Sequence, residues 1–293
     1  MLVEFRVANF RSFKDEVVLS RVASPDSERA ETLLPIPGDP SLKLLPIAAI
    51  FGGNASGKSN LIRALAFMRT YVLQSTRERL TPQERAREPF RLDATAAAQP
   101  SQFEVTVVVG DSRHRYGFAL DEQGVADEWL FVRKKRETRM FERTRGEPVK
   151  CGDTWRGERE RMVARTRGDA LLLTVASEAG QGEAAGLVGW MHPLLVLRFV
   201  ALTLEAIGRR RSGQLLFTTH TSEVFGPKIR SGDVALRRDE LWLTEKKNNA
   251  RSELFALWQV KGVRKTEDMR TRYLRGSYGG VPRLVPVPGL AVP

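Results

Sequence analysis

An α/β fold, a sheet flanked by helices with an inserted antiparallel β meander, is predicted from three features of the sequence. Gly52-Gly53-Asn54-Ala55-Ser56-Gly57-Lys58-Ser59 fits the Gly-x-x-x-x-Gly-Lys-Ser/Thr phosphate-binding pattern with no mismatch, between an apolar run and a helical pattern. From Phe103 the hydrophobic period changes to two. A second short apolar run, Gln214-Leu215-Leu216-Phe217-Thr218-Thr219-His220, reads as another buried strand.

The context of the glycine loop supports the motif on both sides. Upstream, Leu45-Pro46-Ile47-Ala48-Ala49-Ile50-Phe51 has the composition of a strand buried on both faces of a parallel sheet. Downstream, Leu61, Leu65, Met68 and Val72 recur at helical spacing with Ala64 on the same side, so a helix should start near Lys58 and fray near Ser75. Glycines let backbone N–H groups wrap round phosphate oxygens, and a helix N-terminus adds partial positive charge. Lys58 would reach the β- and γ-phosphates and Ser59 would ligate Mg²⁺. An ordinary glycine turn before a helix is the plain alternative.

The whole chain bounds the function class. Its 293 residues fit one large domain or two modest ones, and 42% hydrophobic with 28% charged residues is globular. Cys151 is the single cysteine, which excludes an intramolecular disulfide and a cysteine-built metal site and favours a cytoplasmic protein. Met1-Leu2-Val3-Glu4-Phe5-Arg6 alternates like a strand and carries no secretory pattern. The most apolar later stretch, residues 193–207, is interrupted by Arg198 and Glu205 and reads as an amphipathic helix rather than a membrane span. A net charge of +12 favours a polyanionic partner, yet the basic clusters at residues 133–136, 209–211, 237–238, 246–247 and 270–275 are scattered. Solvated arginine-rich faces explain them equally well.

In chain order, strands are expected at residues 2–7 and 16–19 around the polar corner Asn9-Phe10-Arg11-Ser12-Phe13. Residues 24–43 hold four prolines and predict a loop. After the loop and helix, residues 83–100 form a connector. Phe103, Val105, Val107 and Val109, then Tyr116, Phe118 and Leu120, then Trp129 and Phe131 predict a meander of three or four strands. Residues 156–167 should be helical, 170–176 is an apolar run, and the glycine-rich 180–189 is weakly patterned. Strands follow at 214–220, 240–245 and, as an edge, 252–257. The glycines of the tail, Tyr273 onward, predict a turn and no second phosphate site.

The order of several of these stretches resembles the AAA-type ATP-binding proteins of the ABC class, the group near the SMC, RecF and OLD-type ATPases. They are residues 3–13, the loop from Ile50 to Asn60, the meander, the 214–220 strand, Arg238-Asp239-Glu240-Leu241-Trp242 and the tail. The resemblance implies a P-loop NTPase fold in a split domain. Residues 1–82 would be its N-terminal part, 83–150 the meander of the same lobe, 151–190 a truncated helical insertion and 191–293 the C-terminal part. It further implies ATP and Mg²⁺ held by Gly52, Asn54, Ala55, Ser56, Gly57, Lys58, Ser59 and Asn60. His220 matches the switch histidine that contacts the γ-phosphate. Arg11 leans toward the nucleotide in related ATPases, and an ordinary surface arginine fits it as well. Members are implied to work as homodimers, on DNA or beside a partner nuclease in phage defence, away from membranes.

Two parts of the family pattern are missing between the meander and His220: a serine-glycine signature, and an apolar strand ending in Asp-Glu that would hold Mg²⁺ and orient water. The four Asp-Glu pairs, at 15–16, 121–122, 127–128 and 239–240, all lie elsewhere. Phe118-Ala119-Leu120-Asp121-Glu122 mimics the pattern but opens a hairpin turn. Met191-His192-Pro193 resembles the segment after the catalytic glutamate, so a long internal piece reads as absent near Trp190 and His192 as a helix-start residue. ATP binding with weak turnover is the expectation. A basic nucleic-acid module using nucleotide as a structural ligand, or a decayed ATPase, are its alternatives.

Overall fold

The computed structural model describes residues 1–25, 30–77, 87–155, 158–194, 214–219, 236–247, 249–260 and 269–278. β1 (Leu2–Ala8) buries alternate residues, Phe5 and Val7 among them, and pairs antiparallel with β2 (Val17–Ser20), Phe5 opposite Leu19. Their corner takes Asn9 and Arg11 to φ 49° and 53°. Asn9 holds it from inside: its Nδ2 donates to the carbonyls of Ala96 and Gln99, and its Oδ1 accepts from Phe90 N.

Residues 30–44, predicted as a loop, instead hold a 3₁₀ turn, β3 (Leu34–Ile36) and β4 (Asp39–Leu44). The prolines point the wrong way here. Pro35 and Pro40 sit in a separate two-stranded sheet, where a strand can lack an N–H on its outer side.

β5 (Ile47–Gly52) is buried at every position, and α1 (Lys58–Gln74) follows, with Leu61, Ala64, Leu65, Met68, Tyr71 and Val72 inside. The short α2 (Ala94–Ala98) starts at Asp93, whose side chain accepts from Ala96 N. Then come β6 (Ser101–Val109), β7 (Ser112–Asp121), β8 (Gly124–Arg133), β9 (Glu137–Thr144) and β10 (Lys150–Cys151). The meander thus has five strands, and it continues through β6 into β1 and β2 as one seven-stranded antiparallel sheet ordered β10-β9-β8-β7-β6-β1-β2.

One face assignment is corrected. Trp129 and Phe131 lie on the outer side of β8, and Glu128, Leu130 and Val132 face the core. Tyr116 opposes Leu130, and Phe118 opposes Glu128. The outer aromatics have their own partners: Trp129 covers Gly117, where an added Cβ would lie 2.3 Å from its ring, and Arg115 stacks 4.3 Å from the Phe131 centroid.

α3 (Arg159–Arg165) packs on α4 (Leu172–Glu178), and α4 and α5 (Gly182–Met191) pack beside α1. The glycine-rich 180–189 stretch is therefore a helix, because Ala184, Leu187, Val188 and Met191 form a buried stripe and Gln181 caps it by accepting from Ala184 N. His192 stands at the C-terminal cap of this helix, not at a helix start.

The last strands are β11 (Leu215–Thr218), β12 (Leu241–Lys246) and β13 (Ser252–Ala256), and α6 (Met269–Leu274) follows. They complete a four-stranded sheet ordered β11-β5-β12-β13, with β11 and β12 parallel to β5 and β13 antiparallel at the edge. One face of β5, Ala48 and Ile50, joins the core shared by α1, the meander, α4 and α5. The other, Ile47, Ala49 and Phe51, packs with Leu241, Leu243, Tyr273 and Tyr278. Most of the expected 193–207 helix lies outside the described residues. Among those described, no helix is long and apolar enough to cross a membrane.

Candidate functional site

β5 ends at Gly52 directly beside Thr244 of β12, and β11 runs along its other edge, with Thr219 N donating to Ile50 O at 3.1 Å. Three parallel strands therefore point their C-terminal ends toward the glycine loop. In open α/β sheets this is the end that binds ligands.

The loop turns on left-handed residues: Gly52 at φ 150°, Ala55 at 60° and Gly57 at 112°. A Cβ on Gly52 would lie 2.4 Å from both the carbonyl and the hydroxyl oxygen of Thr244. One on Gly57 would lie 2.6 Å from Ser252 Oγ. Glycine is required at both for close approach as well as for φ.

Lys58 Nζ donates to the carbonyls of Gly52 and Gly53 at 2.7 and 2.8 Å, which holds the ammonium against the loop. Burial pushes its pKa down from 10.5 to about 8. Ser59 is exposed in the first turn of α1, and Asn54 and Ala55 are exposed at the tip. Gly57 caps α1 without a side-chain hydrogen bond, so no capping side chain satisfies the first-turn N–H groups. The loop residues thus fit a phosphate chain, and Ser59 fits a metal-bound hydroxyl.

Asn60 Nδ2 donates to Ser12 Oγ at 2.8 Å, joining the β1–β2 corner to the loop. Arg11, next to it, is committed elsewhere: its Nη2 pairs with Glu88 at 2.6 Å and its N donates to the Glu88 carbonyl. His220 lies outside the described residues.

None of the Asp-Glu pairs sits beside the loop. Asp121 ends β7 in the large sheet and is paired with Arg145. Glu128 is buried under α4, and Asp15 is paired with Arg251 at the surface. Asp239 and Glu240 precede β12 at its opposite end, where Asp239 is bound by Arg237 and Ser24. Among the described residues no cluster of His, Cys, Asp and Glu could hold a metal by itself.

Sequence reasoning missed Ser12, Thr244, Ser252 and Tyr273. Thr244 is fully buried, with its hydroxyl 2.6 Å from Ser56 Oγ and donating to Phe51 O at 3.1 Å. Ser252 N donates to Ser12 O. Tyr273 packs edge-on to Phe51, and a hydrogen bond from the Gly52 backbone reaches its hydroxyl. Thr244 and Ser252 are near the loop through the pairing of β12 with β5 and β13, Ser12 through Asn60 and Tyr273 from α6, long-range contacts that no local motif announces.

Residues 47–159, from β5 through the meander, match the family model described as "AAA domain, putative AbiEii toxin, Type IV TA system". This stretch is similar to an AAA-type domain. The phosphate loop and all five strands of the meander fall inside the match, and β11 to β13 lie beyond it. The chain is also similar to the SMC head domain from Thermotoga maritima, at 13% identity and a TM-score of 0.35, over 87% of this chain and 98% of that one. No curated protein matches the sequence.

Proposed function

We propose that the chain binds ATP with Mg²⁺ at residues 52–60 as an ABC-class member of the AAA-type ATPases, and turns it over weakly. The observation that carries this reading is the loop itself: Lys58 Nζ fixed on the Gly52 and Gly53 carbonyls beneath an uncapped helix start. Mg²⁺, when bound, would supply charge that offsets the phosphates. Ser59 would hold it, and His220 would sense the γ-phosphate. Weak turnover is supported by the four Asp-Glu pairs, which among the described residues lie in the large sheet, at the surface or at the far end of β12. Removing a group that positions the nucleophile typically costs orders of magnitude in rate. A cytoplasmic homodimer acting with DNA or a partner nuclease is the setting we assign to it. A MgATP titration of thermal stability in wild type and Lys58→Ala tests the binding reading.

A proton accompanies that binding. Lys58 carries a pKa near 8 when its ammonium is buried against neutral carbonyls. A phosphate beside it favours the charged form and raises the pKa again. Between pH 8 and 10.5 the complex therefore takes up a proton, and affinity falls as pH rises through that window. Below it affinity is flat. Without ligand the sign reverses: the folded chain sheds the proton before the unfolded chain does, so stability rises over the same window. Calorimetry at pH 8 in two buffers of different ionisation enthalpy is expected to show uptake of about half a proton, absent in Lys58→Ala.

A second reading has one observation in its favour. Arg133, Lys134, Lys135 and Arg136 are all exposed at the β8–β9 hairpin, and only Lys134 makes an ion pair there among the described residues, at 3.8 Å to Glu183. If this tip contacts a duplex, log affinity should fall with log salt at a slope of about −3 to −4, and replacing all four by serine should flatten it. Salt-insensitive binding removes the reading.

A further inference from the structure

We propose that Thr244 is a positioning residue for the phosphate loop, setting the loop's shape for a nucleoside triphosphate through Ser56 and Phe51. The inference rests on the nucleotide-binding reading above and goes beyond it to a residue about 190 positions from the motif. Thr244 has no exposure at all. It is the last β12 residue paired with β5, opposite Gly52, the first residue of the motif.

One hydroxyl makes both contacts. Its hydrogen goes to Phe51 O at 3.1 Å, at the end of the strand, and its oxygen lies 2.6 Å from Ser56 Oγ, on the far limb of the loop. With its proton used on Phe51 O, Thr244 Oγ1 accepts from Ser56, because a hydroxyl has one hydrogen and two lone pairs. The two limbs are thereby held at a fixed separation. The backbone agrees with this tight arrangement: Gly52 runs so close to Thr244 that any Cβ there would overlap both of its oxygens. Ser56 also closes a turn inside the loop, its N donating to Gly53 O. Fixing Ser56 therefore fixes the left-handed residues on either side of it, Ala55 and Gly57. A loop pre-set in this way loses less conformational freedom when phosphate binds.

Thr244→Val keeps the branched shape and removes the hydroxyl. It is expected to weaken MgATP binding about tenfold, the typical effect of one lost hydrogen bond to a buried partner plus the freedom returned to the loop. Thr244→Ser, which keeps the hydroxyl, should bind within about twofold of wild type. Ser56→Ala should lose a similar factor to Thr244→Val, and the two changes together should lose no more than the larger single effect, because both remove one interaction. Affinity is measured by calorimetry well below each variant's own melting temperature, with the ligand-free melt recorded alongside.

A merely structural threonine would lower the ligand-free melt and leave affinity unchanged. That outcome overturns the proposal, as do equal losses in Thr244→Val and Thr244→Ser, or fully multiplicative losses in the double variant. Should Thr244→Val fail to fold, full affinity in Ser56→Ala overturns it, and a Ser56→Ala loss together with wild-type affinity in Thr244→Ser upholds it. Wild type that does not bind MgATP refutes the nucleotide reading itself, a result distinct from all of these.

Discussion

Lys58→Ala is expected to abolish most of the stabilisation that MgATP gives the wild-type chain. Among the described residues, the Lys58 ammonium is the cation held on the loop carbonyls, at 2.7 and 2.8 Å, and burial already makes it costly to keep charged. A phosphate oxygen repays that cost with a charge-assisted hydrogen bond in a partly desolvated site, so the loss on truncation should reach about 100-fold in affinity. At a ligand concentration about 100 times the wild-type Kd, wild type gains about 2.7 kcal/mol and the variant about 0.4 kcal/mol. In a melt this separates a shift of roughly 5 to 10 °C from one of about 1 °C. The ligand-free melts are recorded alongside to separate binding from the fold, because Lys58 is buried and its removal takes away two bonds to the loop carbonyls. An unchanged MgATP shift in Lys58→Ala would refute the phosphate-binding assignment.

The phosphate loop is legible in the sequence because everything that makes it is local. Gly52, Gly57, Lys58 and the stripe from Leu61 to Val72 announce strand, turn and helix within one stretch, and the structure places each as expected. The meander is legible for the same reason up to Leu120. The pattern fails at β8, where the core face contains Glu128: a hydrophobic pattern cannot anticipate a buried carboxylate, so it points to Trp129 and Phe131 one residue away. Composition misleads in two other places. Prolines make residues 34–44 read as a loop, and glycines hide the Ala184, Leu187, Val188 and Met191 stripe of α5. The surroundings of the loop are the least legible. Thr244 and Ser252 reach it by the β11-β5-β12-β13 order and Tyr273 from α6, long-range contacts that leave no spacing in the sequence.

Glu128 carries the largest expected effect on the fold. The carboxylate is buried at the junction of the meander and α4 and receives four donors: Leu172 N at 2.7 Å, Leu173 N at 2.9 Å, Tyr116 Oη at 3.1 Å and Arg143 Nη1 at 3.4 Å. Two of these are first-turn N–H groups of α4, which no residue of the helix itself satisfies. Glu128→Ala strands both of them and the Tyr116 hydroxyl in a dry site. Arg143 suffers less, since it also donates to Ala170 O and Arg167 O. At the usual cost of buried donors left unmade, together with the cavity, the variant should lose about 3 kcal/mol or more in urea unfolding. Tyr116→Phe, which removes one donor and leaves the carboxylate, should lose about 1 kcal/mol. Burial also holds the Glu128 carboxyl above the usual range, against the pull of its partners. The folded state therefore penalises the ionised form, so the contribution of Glu128 is complete at acid pH and declines as pH rises through the raised value. Glu128→Gln cannot ionise, and its deficit relative to wild type should shrink as pH rises from the ordinary carboxylate range through the raised value. A Glu128→Ala chain within about 1 kcal/mol of wild type would mean that α4 finds another cap, and that the meander and the helices do not depend on this carboxylate for their junction.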